Sequence, residues 1–333
     1  MKIQLAAGSA TAVGSLPHLD PLAAARFSLG ELPDLPSLPS LPGRSPAEAM
    51  LGQVASGVRG LQVASLSSIQ IDRDALDPEA PVVTDLSGDA FAGFRAFLEV
   101  AAGRTGPVKW QLTGPVTFAL ALMRAGLPVE LAMRIAVPAV RSHLTAIREA
   151  VSAALPEAPQ LVVLDEPSFP AVMEPEHPLE PELAIDAVST ALAAIEPDAM
   201  TGVHCCGPAD WPSLIAAGPQ VISVPVSPAL TAVSGYLGRY LSEGGWIAWG
   251  AVPTDGPIPQ TVERPWRVLS ELWCEMVQGG CDPVLLRSQS LVTPACGLGL
   301  HAQPVAERVV RLVGQVAHRV HSQAVATRLS IGA

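Results

Sequence analysis

The feature that most constrains this fold is an alternation of short apolar runs with longer helical stretches, sustained over 333 residues. Eight of these runs have strand character, and a helical pattern follows each of them. The eight runs lie at 12–15, 60–65, 108–112, 160–164, 200–203, 220–224, 246–250 and 284–287. Alternating βα units are typical of a parallel sheet. Eight units predict an α/β fold, a single (β/α)8 TIM barrel that spans residues 1–333.

A doubly wound dinucleotide-binding sheet is the competing α/β architecture. That fold opens a helix with G-x-G-x-x-G after its first strand, and no such motif follows the first predicted strand here. No linker-like stretch divides the chain, so we predict one domain. A separate feature is the run 32–42, which carries a proline at every third position. Proline fixes φ and lacks an N–H, so we expect a polyproline II loop, either at the surface or as a lid over an active site.

Composition and charge exclude several classes of protein. Hydrophobic residues make up 49% of the chain and charged residues 15%, which excludes an intrinsically disordered protein. The net charge of −11 and the lack of a basic run argue against a nucleic-acid partner. The apolar runs are far shorter than a membrane span, and the N-terminus does not read as a signal peptide. We therefore expect a cytoplasmic protein with no membrane partner.

Reactive side chains recur where the predicted strands end. In a TIM barrel these ends carry the catalytic residues, because all of them open on one mouth. One such residue follows the first predicted strand, two follow the fourth, two follow the fifth and one follows the eighth. In chain order they are Ser15, Asp165, Glu166, His204, Cys206 and Cys296.

The cysteines indicate a metal site. Five cysteines are too few, and odd in number, for a disulfide framework. His204 and Cys206 are two residues apart, so an extended segment directs both to one face. With Cys296 they form a soft nitrogen and sulfur ligand set that suits zinc and leaves a position for a substrate. The alternative is that cysteines are small buried hydrophobes, which we expect for Cys274 and Cys281.

Five segments, in this order, resemble the successive motifs of one known catalytic barrel. They are TAVGSLPH (11–18), LTGPVTF (112–118), LDEPSFP (164–170), VHCCG (203–207) and TPACGLG (293–299). The chain resembles the catalytic, C-terminal barrel of cobalamin-independent methionine synthase over nearly its whole length. That family shares a superfamily with uroporphyrinogen decarboxylase, which has the barrel but lacks the zinc cluster.

The resemblance implies an S-methyltransferase that moves a methyl group to a thiol. It implies zinc held by His204, Cys206 and Cys296, where the thiol of homocysteine is activated as a thiolate to give methionine. The resemblance also places Ser15 on the substrate's carboxylate and Asp165 on its ammonium group. We predict Asp165 and Glu166 as the catalytic carboxylates, with the role of Glu166 left open.

The sequence departs from this family in two respects. Where the family has a glutamate ligand after the sixth strand, this chain has Pro225. The fourth ligand is then Cys205, Asp255, water or the substrate. The single barrel is also more similar to the short core-type enzymes, which implies methylcobalamin on a corrinoid protein as the donor, with methylfolate as the alternative. Trp110 and Trp249 could stack on a flat donor, or pack in the core.

Two further functions stay open at this level. A uroporphyrinogen decarboxylase-like lyase would need no metal, but it would need arginines at the barrel mouth. Arg44, Arg59 and Arg73 could contribute to such a cluster. A degenerate barrel that binds a corrinoid or a thiol without catalysis is the non-enzymatic alternative, and the missing glutamate motivates it.

Overall fold

The structure is a computed structural model that describes residues 3–196 and 198–331, with side chains described up to 326. Strands and helices alternate along most of the chain, as the sequence pattern predicts. The strands are β1 (Ser9–Ala10), β2 (Leu61–Ser65), β3 (Ser68–Ile71), β4 (Val108–Thr113), β5 (Gln160–Asp165), β6 (Met200–His204), β7 (Val221–Pro225), β8 (Trp246–Val252) and β9 (Ser290–Pro294).

The helices lie between and after these strands. They are α1 (Pro21–Glu31), α2 (Met50–Ala55), α3 (Ala92–Val100), α4 (Pro115–Arg124), α5 (Val129–Ala154), α6 (Phe169–Val172), α7 (Pro181–Ala193), α8 (Trp211–Ala216), α9 (Ser234–Ser242), α10 (Glu263–Gln278), α11 (Pro283–Ser288) and α12 (Gln303–Ile331). Three short 3-10 helices lie at Pro46–Glu48, Asp89–Phe91 and Pro228–Val233.

Seven of the strands form one curled parallel sheet. Their order is β1-β9-β8-β7-β6-β5-β4, and every neighbouring pair is parallel. Side chains on the concave face form an apolar floor, and the convex face packs on the helices in a larger core. The floor residues are Leu35, Leu161, Val163, Val221, Ala248 and Leu291. The predicted α/β class with a parallel sheet is therefore confirmed.

The proline-rich segment lies between the two edges of this sheet. Leu38 donates its backbone N–H to the carbonyl of Lys109 on β4 (2.8 Å), and Lys109 donates to Pro36 (2.9 Å). On the other side, Leu16 donates to the carbonyl of Ser40 (2.9 Å). Isolated parallel bridges join Ser40 to Ser15 and Ser37 to Lys109. Prolines remove ladder donors, which explains why no regular strand forms here.

The expectation of a surface loop for this segment is wrong. Its leucines, three residues apart, are buried, and the segment is therefore an internal part of the sheet. Two of its residues, Ser40 and Pro42, line the wall of the pocket described below. The buried leucines are Leu32, Leu35, Leu38 and Leu41.

Three predicted strands are placed differently by the structure. The run 12–15 follows β1 and forms only an isolated bridge, between Ser15 and Ser40. The run 60–65 forms β2, but β2 pairs only with β3, antiparallel, in a separate two-stranded sheet. Most of β2 is exposed or half-buried, whereas a strand of a covered parallel sheet needs apolar residues on both faces. The run 284–287 is helical instead, within α11. Asp282 caps this helix by accepting from the backbone N–H of Val284 (2.6 Å), and Pro283 occupies its first turn.

Within the described residues, no helix is both long enough and apolar enough to cross a membrane.

Candidate metal centre and pocket

The carboxyl ends of the parallel strands open on one pocket of about 520 Å3. The carboxyl end of β4 and the loops after β1, β5, β6, β8 and β9 contribute to its wall. This is the edge at which parallel α/β sheets place their ligands. Apolar side chains form much of the outer wall, among them Pro42, Ala49, Met50, Leu66 and Leu300.

Three predicted metal ligands converge at the bottom of this pocket. His204, the last residue of β6, and Cys206 just after it meet Cys296 from the loop after β9. One ligand atom of each residue lies within 4.8 Å of the other two. The two segments are 90 residues apart in sequence, and the sheet brings their ends together because β6 and β9 run parallel. The trio is a possible metal site of the geometry that the cysteine pattern predicts.

The imidazole of His204 is held in one orientation. Its Nδ1 hydrogen-bonds Ser223 Oγ on the neighbouring strand β7 at 2.9 Å. Its Nε2 is buried and has no hydrogen-bond partner within the described part of the chain. A buried polar atom without a partner is costly. Metal-binding histidines typically donate one ring N–H to a second group and present the other nitrogen to the ion, so this arrangement fits a metal ligand.

The side chains of Cys206 and Cys296 interact with each other. A hydrogen bond from the Cys296 thiol lowers the pKa of Cys206, against the effect of burial. The same contact raises the pKa of Cys296. Cys206 is therefore the more readily ionised of the two cysteines, and a cation would stabilise both sulfurs in the ionised form.

Ser15 lies in the loop after β1 and lines the same pocket as His204, Cys206 and Cys296. Its hydroxyl oxygen accepts the backbone N–H of Gly299 at 3.1 Å, which leaves its proton free to donate into the pocket. A Cβ on Gly297 would lie 2.3 Å from Ser15 Oγ, so only glycine fits next to Cys296. The close approach of these two loops explains the glycines in the motif after Cys296.

Asp165 faces the pocket from the end of β5. It is buried, and its Oδ1 has no hydrogen-bond partner among the described residues. Burial raises the pKa of Asp165, while the charges of His204 and Lys109 act in the opposite direction. A buried carboxylate with a free oxygen is suited to bind a cationic group of a ligand.

Glu166 points away from the pocket. Its carboxylate accepts the backbone N–H groups of Val116 (2.9 Å) and Thr117 (2.7 Å) in the first turn of α4. A Cβ on Gly114 would lie 2.2 Å from its Oε1. Burial raises the pKa of Glu166 to about 7. The structure therefore shows Glu166 as a cap of α4, and its predicted catalytic role has no contact with the pocket to support it.

Trp110 and Trp249 lie on the convex, helix-facing side of the sheet. Both are fully buried and contribute no atoms to the pocket wall. Trp110 donates its indole N–H to Gln160 (2.8 Å), and Trp249 donates to Ser290 (2.8 Å). Alternation along a strand explains the placement, because Trp110 lies between the inward-facing Lys109 and Gln111. In this conformation neither ring is available to stack on a donor.

The candidate fourth ligands are placed as follows. Cys205 is buried in the core between sheet and helices, and burial raises its pKa to about 11. Pro225 ends β7, where it offers no side-chain ligand. Asp255 lines the pocket but, within residues 3–196 and 198–331, only the His204, Cys206 and Cys296 atoms form a ligand cluster.

Several residues near the site were not found by sequence reasoning. Ser223, which orients His204, lies in an apolar strand run with no motif around it. Glu48 and Gln111 line the pocket. The side chain of Gln111 also packs against Gly14, next to Ser15. Lys109 gave one signal, since it is one of two lysines in the chain and lies within an apolar strand.

Comparisons of the sequence with known proteins give no match. No protein-family model matches the chain, and no curated protein matches it.

Solved structures do share the fold. The chain is similar to a methyltransferase from Methanosarcina mazei, with 14% identity, a TM-score of 0.59 and coverage of 96% of this chain and 94% of that one. It is also similar to a putative vitamin-B12 independent methionine synthase from Listeria monocytogenes, with 12% identity, a TM-score of 0.62 and coverage of 95% and 99%. The coverage shows that the likeness extends over the whole α/β fold, and at these identities it is the fold alone that is shared.

Proposed function

We propose that this protein is a zinc-dependent S-methyltransferase that methylates a thiol, with homocysteine as acceptor and methionine as product. The observation that carries the proposal is the convergence of His204, Cys206 and Cys296 around a buried, unpartnered His204 Nε2. The motif order and the two structural neighbours, one titled a methyltransferase and one a methionine synthase, support the same superfamily.

The ligand set fits zinc. One imidazole and two thiolates form a soft set that leaves one of four tetrahedral positions open, as in catalytic zinc sites. When bound, zinc would lower the pKa of a coordinated thiol and so supply a nucleophilic thiolate at neutral pH. Cys205 packs in the core, so we assign the open position to the substrate thiol.

The remaining residues bind and orient the acceptor. The free hydroxyl proton of Ser15 would donate to the substrate's carboxylate, and Asp165 would accept from its ammonium group. Both groups lie in the same pocket as the metal trio. Binding at two points fixes the sulfur relative to the incoming methyl group, and such orientation supplies much of the rate of a bimolecular transfer.

The pocket leaves room for a second reactant. Its volume of about 520 Å3 exceeds what a small amino acid fills, and its outer wall is apolar. We propose a methylcorrinoid, delivered by a corrinoid protein, as the methyl donor and methylfolate as the alternative. Since Trp110 and Trp249 are buried elsewhere, the donor would contact the apolar rim instead of these rings.

We also propose that the fold functions as a closed (β/α)8 barrel. The seven-stranded sheet has its gap between β1 and β4, and segment 36–40 hydrogen-bonds to both sides of that gap. The segment would then take the place of the eighth strand in the barrel wall. It is irregular because its prolines lack the N–H groups of a regular ladder.

A uroporphyrinogen decarboxylase-like reaction finds no support at this site. No arginine or lysine lines the pocket within the part of the chain that the structure describes. Arg44 is paired with Glu48 (2.8 Å) and Asp89 (2.7 Å), and Arg73 donates to the carbonyl of Gly126 (3.0 Å). A substrate with several carboxylates needs basic side chains on the pocket wall, and neither Arg44 nor Arg73 lies there.

The test is metal analysis of protein purified without chelators, followed by a methyl-transfer assay. We expect one zinc per chain, and we expect Cys296→Ser to lose both the zinc and the activity. Cys274→Ser is the matched control, because Cys274 is exposed and lies on α10, away from the trio. Wild-type protein without stoichiometric zinc would overturn the proposal. Tight zinc with no transfer from methylcobalamin or methylfolate would favour the non-catalytic, thiol-binding alternative.

A further inference from the structure

Lys109 is a buried lysine inside the sheet. It lies on β4, its side chain faces the concave interior, and 4% of its surface is exposed. Lysine is almost never fully buried unless its charge is paired, because removing an ammonium from water is costly. A residue of this kind at the level of the site needs an explanation that the proposed chemistry does not supply.

The ammonium of Lys109 makes three hydrogen bonds. It donates to the carbonyls of Ala12 (3.0 Å) and Val13, and to Oε1 of Gln111 (3.0 Å). An ammonium has three protons, so all its donors are used. The two carbonyls belong to the chain that leaves β1 and reaches Ser15 two residues later. Lys109 therefore joins the segment after β1 to β4. Segment 36–40 lies in the gap between them and supplies only a few backbone hydrogen bonds there.

Asp165, on the next strand, is a charge that acts on Lys109 electrostatically. Within the described chain the two side chains form no direct ion pair, since the ammonium donates to Ala12, Val13 and Gln111. Burial lowers the pKa of Lys109 to about 8, and the charge of Asp165 acts against this. Asp165 lies at the end of β5, which pairs directly with β4. Its Oδ1 has no hydrogen-bond partner among the described residues. The charge of His204 has the larger effect on the pKa of Asp165, and the charge of Lys109 adds to it.

We propose that Lys109 is a positioning residue of this site: it braces the segment after β1 that carries Ser15, and its ammonium helps to balance the buried charge of Asp165. The functional part of this inference rests on the proposed function. The brace does not, because it follows from the hydrogen bonds of Lys109. The effect on Asp165 does not either, because it concerns the stability of the folded protein and not its activity.

A double-mutant cycle on thermal stability tests the charge pair. Lys109→Met removes the ammonium but keeps the apolar stem, and it would leave the Asp165 carboxylate buried without its balancing charge. We expect Lys109→Met to lower the melting temperature of the holoprotein by at least about 2 °C more in the wild-type background than in Asp165→Asn. Equal decreases in the two backgrounds would overturn the pairing.

The control for this cycle is Leu291→Ala, which opens a cavity in the floor of the same interior on β9. Its effect should be the same with and without Asp165→Asn, because Leu291 carries no charge. If Lys109→Met gives no folded protein, Lys109→Gln provides the same comparison. Recovery of folded protein in the double variant with Asp165→Asn supports the pair, and failure to recover it with either substitution contradicts it.

Kinetics test the positioning role. We expect Lys109→Met to raise the KM for homocysteine about tenfold, with one zinc per chain retained and kcat at saturating acceptor changed much less. This split follows because Ser15 and Asp165 bind the acceptor while the trio binds the metal. An unchanged KM, or an equal loss of kcat, would contradict positioning. A wild-type protein without zinc or transfer would refute the proposed function, whereas the stability cycle would still decide the charge pair.

Discussion

At the scale of single residues, the site is marked by buried polar atoms that have no hydrogen-bond partner in the described chain. His204 Nε2 and Asp165 Oδ1 are buried and unpartnered in the described chain. Each lies at the end of a parallel strand that faces the pocket. Such groups are costly in a protein that binds nothing, so both indicate atoms that meet a ligand. The hydroxyl of Thr254, which also lines the pocket, is buried without a partner in the described chain as well.

Ser223 should tune metal affinity without touching the metal. Its Oγ holds Nδ1 of His204 at 2.9 Å, and loss of such a partner typically weakens metal binding about 10- to 100-fold. We expect Ser223→Ala to show this loss in a competition titration with a chromophoric chelator. Ser227→Ala is the control, since the Ser227 hydroxyl only caps a turn after the same strand. Equal affinities in the two variants would contradict the role of Ser223.

Glu166 should act on stability and not on metal content. Its carboxylate accepts two backbone N–H groups of α4, and hydrogen bonds to a buried charged acceptor contribute about 1–3 kcal/mol each. We expect Glu166→Ala to lower the free energy of unfolding by about 2–4 kcal/mol, measured by urea denaturation, with zinc content unchanged. Loss of zinc with normal stability would instead favour a role in the site.

At the scale of elements, the proline-rich segment shows how a sequence pattern can mislead. Proline at every third position is typical of an extended, solvated backbone. Here the leucines between the prolines are buried, and the segment hydrogen-bonds to both sides of the sheet gap. An extended backbone is compatible with either a surface loop or a strand, and only the packing of the leucines decides between them.

A leucine of this segment should therefore behave as a core residue. Leu38 is 4% exposed and belongs to the main core. Leu38→Ala should lower the free energy of unfolding by about 2–5 kcal/mol. Leu19→Ala is the matched control, because Leu19 is 67% exposed and its substitution should change stability by less than about 0.5 kcal/mol. Similar small effects of both changes in chemical denaturation would show that the segment is not part of the core.

At the scale of the whole molecule, a buried histidine links folding to pH. His143 on α5 is fully buried, with Nδ1 2.7 Å from Thr84 Oγ1 and Nε2 3.1 Å from the carbonyl of Val54. Burial lowers the pKa of His143 to about 4, from 6.5. The contacts join α5 to α2 and to the loop before α3.

The sign of the pH effect follows from this shift. Between pH 6.5 and 4 the unfolded chain takes up a proton at His143 and the folded chain does not, so stability falls as pH falls. A shift of this size corresponds to about 3 kcal/mol. We expect a His143→Gln variant to lose this part of the pH dependence, measured by urea denaturation at pH 7 and pH 4.5. Parallel pH profiles for the variant and the wild type would contradict it.

The sequence by itself determined the α/β class, the parallel sheet and the convergence of His204, Cys206 and Cys296. Apolar runs that alternate with helical patterns leave few other folds, and residues at strand ends of a parallel sheet must share one edge. The prediction that His204 and Cys206 meet Cys296 needed only that rule.

Tertiary structure alone decided what each remaining side chain faces. Packing between parts of the chain that are distant in sequence decided three elements. They are the antiparallel pair β2–β3, the helix at 284–287 and the buried proline-rich segment. The same holds for Glu166, which caps α4 while the adjacent Asp165 faces the pocket. Successive residues on an extended chain point in opposite directions. Which of two adjacent side chains faces the pocket is decided by how the whole sheet packs.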